Sequence, residues 1–251
     1  MNSSSDLERY SRHLILKEIG GPGLKKLKNS SVLIIGLGGL GSPLLQYLCT
    51  SGIGSIGLVD FDKIELSNLN RQIIYGTSDV GKNKTDIARK IAKNLNPSIN
   101  IDAYNERVTS TNIKKIIKNY DIVADGTDNL EAKLTINDAC HYLKKPMVMC
   151  SVSGFFGYIS TFKSYEKDGE GLKNPSYRSL MRNKIVSEND CETNGILGSI
   201  AGIMGSIQAT EVIKLITETG ENLVGKLLIL DGLNLDFQII KLNRDDNFDL
   251  N

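Results

Sequence analysis

Six residues, Gly36-Leu-Gly-Gly-Leu-Gly41, constrain this chain more than any others, because of what stands on either side of them. Ser31-Val-Leu-Ile-Ile35 before them is a continuous apolar run of strand length, and the stretch after them, to about Ser51, reads as a helix. A second strand-like run, Ser55-Ile-Gly-Leu-Val59, comes next. Strand, glycine turn, helix and strand within about thirty residues make the βαβ unit of a parallel sheet. Glycines let such a turn bend sharply and approach a phosphate, and the helix start offers unpaired N–H groups to an anion. Ser42-Pro43 suits the first turn of that helix. Asp60, ending the second strand, is placed to accept hydrogen bonds from a ribose. The glycines alone would equally make a purely structural turn; the flanking strands and the acid downstream turn them into a nucleotide signal.

The alternation continues along the chain. Residues 85–94, 110–119 and 130–143 read as helices, and 99–104, 121–124 and 147–152 as strands. The expected fold is therefore α/β and Rossmann-like, with a mostly parallel sheet and helices on both faces. Residues 6–18 read as short helical pieces ending near Gly20-Gly21-Pro22-Gly23. Beyond 157 the character changes: a strand at 157–163, a polar loop-like stretch at 164–194 with a weakly helical centre, and a long helix at 196–217. Strands at 226–230 and 236–242 then form a C-terminal antiparallel extension, before a tail (243–251) that reads as frayed. Polar loops of some thirty residues are uncommon in compact domains and more often functional than idle. No linker divides the chain, so residues 1–251 read as one domain.

Thirty Lys and Arg against twenty-nine Asp and Glu leave a net charge of +1. Global charge thus argues for neither a nucleic-acid nor a membrane partner. The long uncharged stretch at 193–210 reads as too polar to span a bilayer. Four scattered cysteines (Cys49, Cys140, Cys150, Cys191) form no disulfide framework, and with no secretory signal they suit a reducing cytoplasm. Cys49, Cys140 and Cys150 fall in expected helix or strand and read as core residues.

Nucleotide binding alone would fit a nicotinamide-dependent oxidoreductase. The residues after Asp60 argue otherwise. Lys63, Asn68, Arg71, Lys82 and Lys84 crowd cations and amides beside a ribose-binding acid, which suits a triphosphate better than a pyrophosphate bridge. A solvated basic face is the bland reading of the same residues.

A set of motifs in a fixed order carries a resemblance. They are Arg9-Tyr-Ser-Arg12, the glycine turn, Val59-Asp-Phe-Asp62, Ser67-Asn-Leu-Asn-Arg-Gln72 and Val80-Gly-Lys-Asn-Lys84. Asp125-Gly-Thr-Asp-Asn129 and the Gly205–Lys214 segment complete the set. The chain resembles the sulfur-carrier-protein adenylyltransferases of molybdopterin-synthase and thiamine biosynthesis, relatives of the ubiquitin-activating enzymes. The resemblance runs from about Arg9 to Leu242. It implies ATP-dependent adenylylation of the Gly-Gly carboxylate of a small ubiquitin-like sulfur-carrier protein, with pyrophosphate released. It further implies that Gly36, Gly38, Gly39 and Gly41 underlie the nucleotide with Asp60 and Asp62, and that Asp60 holds the ribose. Asn68, Arg71 and Lys84 would contact the phosphates, Asp128 would bind Mg²⁺, and Arg12 would reach the partner's site in a homodimer. A plain alternative stands beside two of these: Asp128-Asn129 as a helix cap and Arg12 as a surface charge.

Cys191 matches a cysteine that in some members of that family links covalently to the carrier; an idle loop thiol is the alternative. Many members also hold a structural zinc with two Cys-x-x-Cys pairs. Here Ser176 and Ser179 stand at the first pair and the tail has no cysteine, so no zinc is expected, and with it a looser 164–194 segment and tail. No fused sulfurtransferase unit is visible, so the sulfur donor is expected to be another protein. A non-catalytic scaffold binding a ubiquitin-like protein is a further reading, and the presence of Gly39, Asp60, Arg71, Lys84 and Asp128 together speaks against it.

Overall fold

Strand β1 (Ser31–Ile35) shows how the sheet is built. Val32 and Ile34 point into one apolar cluster, Leu33 and Ile35 into another, and all are buried. A strand covered on both faces reads as a continuous apolar run, as this one does. The computed structural model describes residues 4–182, 195–247 and 249–250. Beside β1 lie β2 (Ser55–Val59) and β3 (Asn100–Tyr104) on one flank, and β4 (Ile122–Asp125) and β5 (Met147–Ser153) on the other, all parallel. Strands β6 (Phe156–Phe162), β7 (Lys226–Asp231) and β8 (Asp236–Lys241) extend the sheet antiparallel, giving the order β3-β2-β1-β4-β5-β6-β7-β8. The expected fold class holds.

At the N-terminus, α1 (Ser4–Arg9) and α2 (Ser11–Leu14) are the expected short pieces. The glycine run after them does not end the helical region: it opens α3 (Gly20–Asn29), which buries Leu24 and Leu27. Pro22 lies in the first turn of α3, where a missing N–H costs nothing. One face of the sheet is then covered by α4 (Gly41–Ser51) and α5 (Lys84–Leu95), the other by α6 (Ile113–Ile117) and α7 (Leu130–Leu143). Helix α6 is shorter than expected because Asn112 holds residues 109–112 in a turn, its Oδ1 accepting from Thr109 N at 2.8 Å. Among the described residues two more helices follow, α8 (Tyr177–Arg182) and α9 (Gly198–Thr217).

By length and composition α9 could cross a membrane, contrary to the sequence reading of that stretch. Its packing is that of a core helix. It lies against α4 and β5, and Gln208, fully buried, donates to the Asp125 and Val148 carbonyl oxygens at 2.9 Å each.

The tail is not frayed. Asp249 is buried and accepts from Ser176 N at 3.1 Å and from the Ser179 hydroxyl, while Ser179 Oγ accepts from Asp245 N at 2.9 Å. Arg244 completes the clasp, with Nη1 3.7 Å from the Asp249 carboxylate and also donating to Asn174 O at 3.1 Å. On the other side Arg178 pairs with Asp138 of α7 through both nitrogens, at 2.9 and 2.6 Å. Of the two serines at the positions where the resemblance would put zinc ligands, Ser179 gives its hydroxyl to a carboxylate from the tail and Ser176 its backbone N–H, while Ser176 Oγ accepts from Arg178 N at 3.1 Å. This donor set does not fit a zinc ion. It explains why the described part of the crossover, with Tyr177 and Leu180 buried, is packed and not loose. Asp249→Ala should cost about 2 kcal/mol by stranding these donors, a fall of roughly 5 °C in Tm for a chain of this size. Chelator treatment should leave Tm unchanged; both are read by thermal unfolding followed by circular dichroism.

Candidate active site

From β1 the chain proceeds outward to β2 and β3, and from β4 it proceeds the other way to β5. Between the carboxyl ends of β1 and β4 lies the switch point where α/β sheets bind ligands. A cavity of about 680 Å³ opens there. Its floor is the glycine turn. Gly36 has φ of 91°, and a Cβ on it would come within 2.8 Å of Gly126 O, so the turn after β1 and the loop after β4 pack backbone to backbone. At Gly41 a Cβ would collide with the Gly36 carbonyl.

Asp60 anchors this floor. Its Oδ2 accepts from Leu37 N at 2.8 Å and its Oδ1 from Asp62 N at 2.9 Å, while Tyr75 Oη donates to Leu37 O at 3.0 Å. Burial raises the Asp60 pKa above the ordinary carboxylate value; the charge of Lys84 is the largest opposing influence. Lys84, the first residue of α5, is buried in the cavity wall with Nζ 2.9 Å from Asp62 Oδ2. Arg71 is half-buried, its Nη1 donating to Ser67 O at 3.0 Å and Asn70 Oδ1 at 3.1 Å.

Asp128 and Asn129 divide between them the two readings of their motif. Asn129 caps α7, its Oδ1 accepting from Ala132 N at 2.8 Å. Asp128 is exposed in the cavity, with no partner for its carboxylate among the described residues. Behind them, Asp125 is fully buried. Its Oδ2 meets Lys133 Nζ at 2.8 Å, and its Oδ1 accepts from Thr127 N and Oγ1 at 3.0 and 2.7 Å. Lys133 Nζ also donates to Cys150 O at 3.0 Å, so the pair locks β4, β5 and α7 behind the loop that carries Asp128.

Gly36, Gly38, Gly39, Asp60, Asp62, Arg71, Lys84 and Asp128 all line the one cavity. Gly41, Asn68 and Arg12 do not line it. Gly41 supports the turn from within α4; Asn68 Oδ1 accepts from Glu65 N at 3.2 Å, closing a short helical turn; Arg12 is exposed on α2. Cys191 lies outside the described residues. Burial pushes the thiols of Cys49 and Cys150 up to about 12, and that of Cys140 upward too, so all three are core residues with little thiolate at neutral pH. Sequence reasoning gave no role to Lys133, to Gln72, or to Arg107, whose guanidinium stacks on Phe61 at 4.2 Å on the cavity rim. Lys133 was legible only as one more charge on a helix; its offset along α7 from the capping Asn129 was the available signal.

Residues 10–250 match the ThiF family, and the chain belongs to it. It is 41% identical over 245 residues to a probable adenylyltransferase/sulfurtransferase MoeZ of Mycobacterium tuberculosis, covering 97% of this chain and 62% of that protein. It is 37% identical over 245 residues to a sulfur carrier protein adenylyltransferase of Thermus thermophilus, covering 97% and 90%. The chain therefore spans about three-fifths of the first relative's length and most of the second's. Among solved structures, E. coli MccB with AMPCPP and MccA superposes with a TM-score of 0.81 at 25% identity, over 95% of this chain and 72% of that one.

Removing one partner of a buried pair leaves the other charge stranded. Lys133→Met should therefore destabilise the protein by about 3–5 kcal/mol, and the double variant Asp125→Asn with Lys133→Met should recover most of that loss. Urea unfolding midpoints of the native protein and the two variants check both statements.

Proposed function

We propose that this chain uses ATP to adenylylate the C-terminal Gly-Gly carboxylate of a small ubiquitin-like sulfur-carrier protein, within molybdenum-cofactor, thiamine or a related sulfur-transfer biosynthesis. The observation that carries this reading is one cavity in which Arg71, Lys84 and Asp128, its carboxylate without a partner among the described residues, stand around the glycine turn. An oxidoreductase has no use for that combination.

The carrier's carboxylate is ionised at neutral pH, so it needs no base to become a nucleophile. Its oxygen attacks the α-phosphorus of ATP, the bond from that phosphorus to the bridging oxygen breaks, and pyrophosphate leaves with the electron pair. Arg71 and Lys84 reduce the repulsion between two anions and stabilise the charge that develops on the leaving group. Lys84 is held by Asp62, and it turns from one anion to another when phosphates arrive. Asp128 is suited to hold Mg²⁺, an ion usually bound by one or two carboxylates together with substrate phosphates, and there it would neutralise phosphate charge. Asp60 keeps lone pairs on both oxygens free for ribose hydroxyls.

The carrier docks on the far end of the sheet. Phe237 and Ile239 on β8, with Leu233 and Leu235 at the hairpin tip, are exposed large apolar residues gathered on one hairpin. Gly232 N of that tip donates to Phe155 O at 2.9 Å, and Gly154 next to it bonds Gly195, a residue of the cavity wall. A tail anchored at this patch has a short path to the nucleotide. The protein works as a cytoplasmic homodimer in which Arg12 of each copy serves its partner's site, and sulfur comes from a separate donor protein.

The test is Mg²⁺-dependent exchange of labelled pyrophosphate into ATP with a panel of carriers ending in Gly-Gly. Exchange with one of them, reduced at least ~100-fold in Asp128→Ala, is the expected result; ATP binding without exchange for any carrier would overturn the reading. A second expectation concerns pH. The ribose donates to an ionised Asp60, so ATP affinity should fall as the pH drops, with a midpoint above that of an ordinary aspartate because burial raises this one. Asp60→Asn should weaken binding near neutral pH and flatten the profile, as read by nucleotide titration from about pH 4 to 8.

A further inference from the structure

Gln72 follows Arg71 in the wall of the cavity and is only 4% exposed. Its Oε1 is buried with no hydrogen-bond partner among the described residues. Nε2 lies 3.6 Å from where a Cβ of Gly38 would stand, so the amide sits beside the glycine turn. Its backbone is fixed: Gln72 N donates to Asn68 O at 3.0 Å and Tyr75 N to Gln72 O at 3.1 Å. Buried polar groups in folded proteins nearly always find partners. A buried amide held in a ligand cavity with its oxygen unpartnered points to a ligand that brings the complement.

Whichever way the amide is turned, it presents one acceptor, which triphosphate oxygens cannot satisfy. A donor is required. The ribose hydroxyls have Asp60. The base has the opposite end of the cavity, where Phe61 and Arg107 stand at the ends of β2 and β3. Gln72 stands on the other side: Arg71 next to it packs on Gly39 and on Gly198 of α9, and α9 lies on β5. That is the side where Ser151, Val152 and Gly195 line the cavity. A peptide arriving from there carries an N–H at its last peptide bond and a carbonyl one bond before it.

We infer that Gln72 is a specificity-determining residue that hydrogen-bonds the last peptide group of the protein substrate, its Oε1 accepting the peptide N–H and its Nε2 donating to an oxygen of the same tail. This rests on the proposed carrier-adenylating reading and refines it. The amide of Gln72 distinguishes a terminal peptide from a free carboxylic acid, which has no N–H to offer at that position.

The experiment is a cycle of two changes. The enzyme change is Gln72→Met, which keeps the bulk and removes both polar ends. The substrate change is a semisynthetic Gly-Gly carrier whose terminal glycine is replaced by glycolate, turning the last N–H into an ester oxygen and keeping the carboxylate. With native enzyme, the ester carrier should show about tenfold lower kcat/KM in pyrophosphate exchange. With Gln72→Met the amide carrier should lose about the same factor, and the ester carrier should lose little more. ATP affinity should stay within about twofold and Tm should not fall, because no bond within the protein is broken. An ester penalty of equal size in both enzymes overturns the inference, as does a loss of ATP affinity that matches the loss of exchange. Native enzyme giving no exchange with any carrier defeats the underlying reading instead, and the inference with it.

Discussion

A carboxylate sealed in the middle of an apolar sheet is a liability, and the site depends on how this one is compensated. Asp125 ends β4 with no exposure to solvent. Lys133 from α7 neutralises it, Thr127 fills its other oxygen, and Gln208 from α9 takes its carbonyl. A charge desolvated to this degree is tolerated only when its geometry is this complete. Three elements from both faces of the sheet must therefore come to one point, and the point is where the strand order turns back on itself. The loop that leaves it, Gly126 to Asn129, is fixed at both ends: packed on Gly36 behind, capped into α7 ahead. Asp128 is the residue left over, rigidly carried yet uncommitted.

This division of labour recurs around the cavity. Asn68 commits its side chain to its own helical turn and Asn129 to α7. Residues from the same short motifs, one or a few positions away, line the cavity: Arg71 and Gln72 after Asn68, Asp128 before Asn129. A site built this way is preorganised, since each group meant for the ligand is backed by a neighbour whose bonding is complete.

Much of this was legible in the sequence, for a physical reason. Strands buried on both faces have to be apolar throughout, so β1, β2 and β4 were readable almost to the residue. Helix α7 was readable from its cap and length. The misreadings share a cause: local chemistry was given more weight than tertiary contacts. Glycines and a proline at residues 20–23 look like a stop, yet they begin α3, because Leu24 and Leu27 find a core to enter. A polar tail looks frayed until its aspartate meets two serines some seventy residues away. Gln72 and Lys133 were visible as letters, but burial and the lack or presence of a partner, which give them meaning, are properties of the folded chain alone.

The clasp between tail and crossover has a consequence for how the molecule reaches its final form. A metal bridge needs an ion to arrive, so its closure is a second-order event that depends on supply. Here every component is on the chain, and closure is unimolecular. It is also a contact of long range, enclosing α9 and the β7–β8 hairpin between its two halves, and such contacts form after local ones. The α8 segment, and through Arg178 the outer flank of α7, can thus be pinned only once the antiparallel half of the sheet has assembled. Completion of the fold at one edge is what finally steadies the helix that starts beside Asp128.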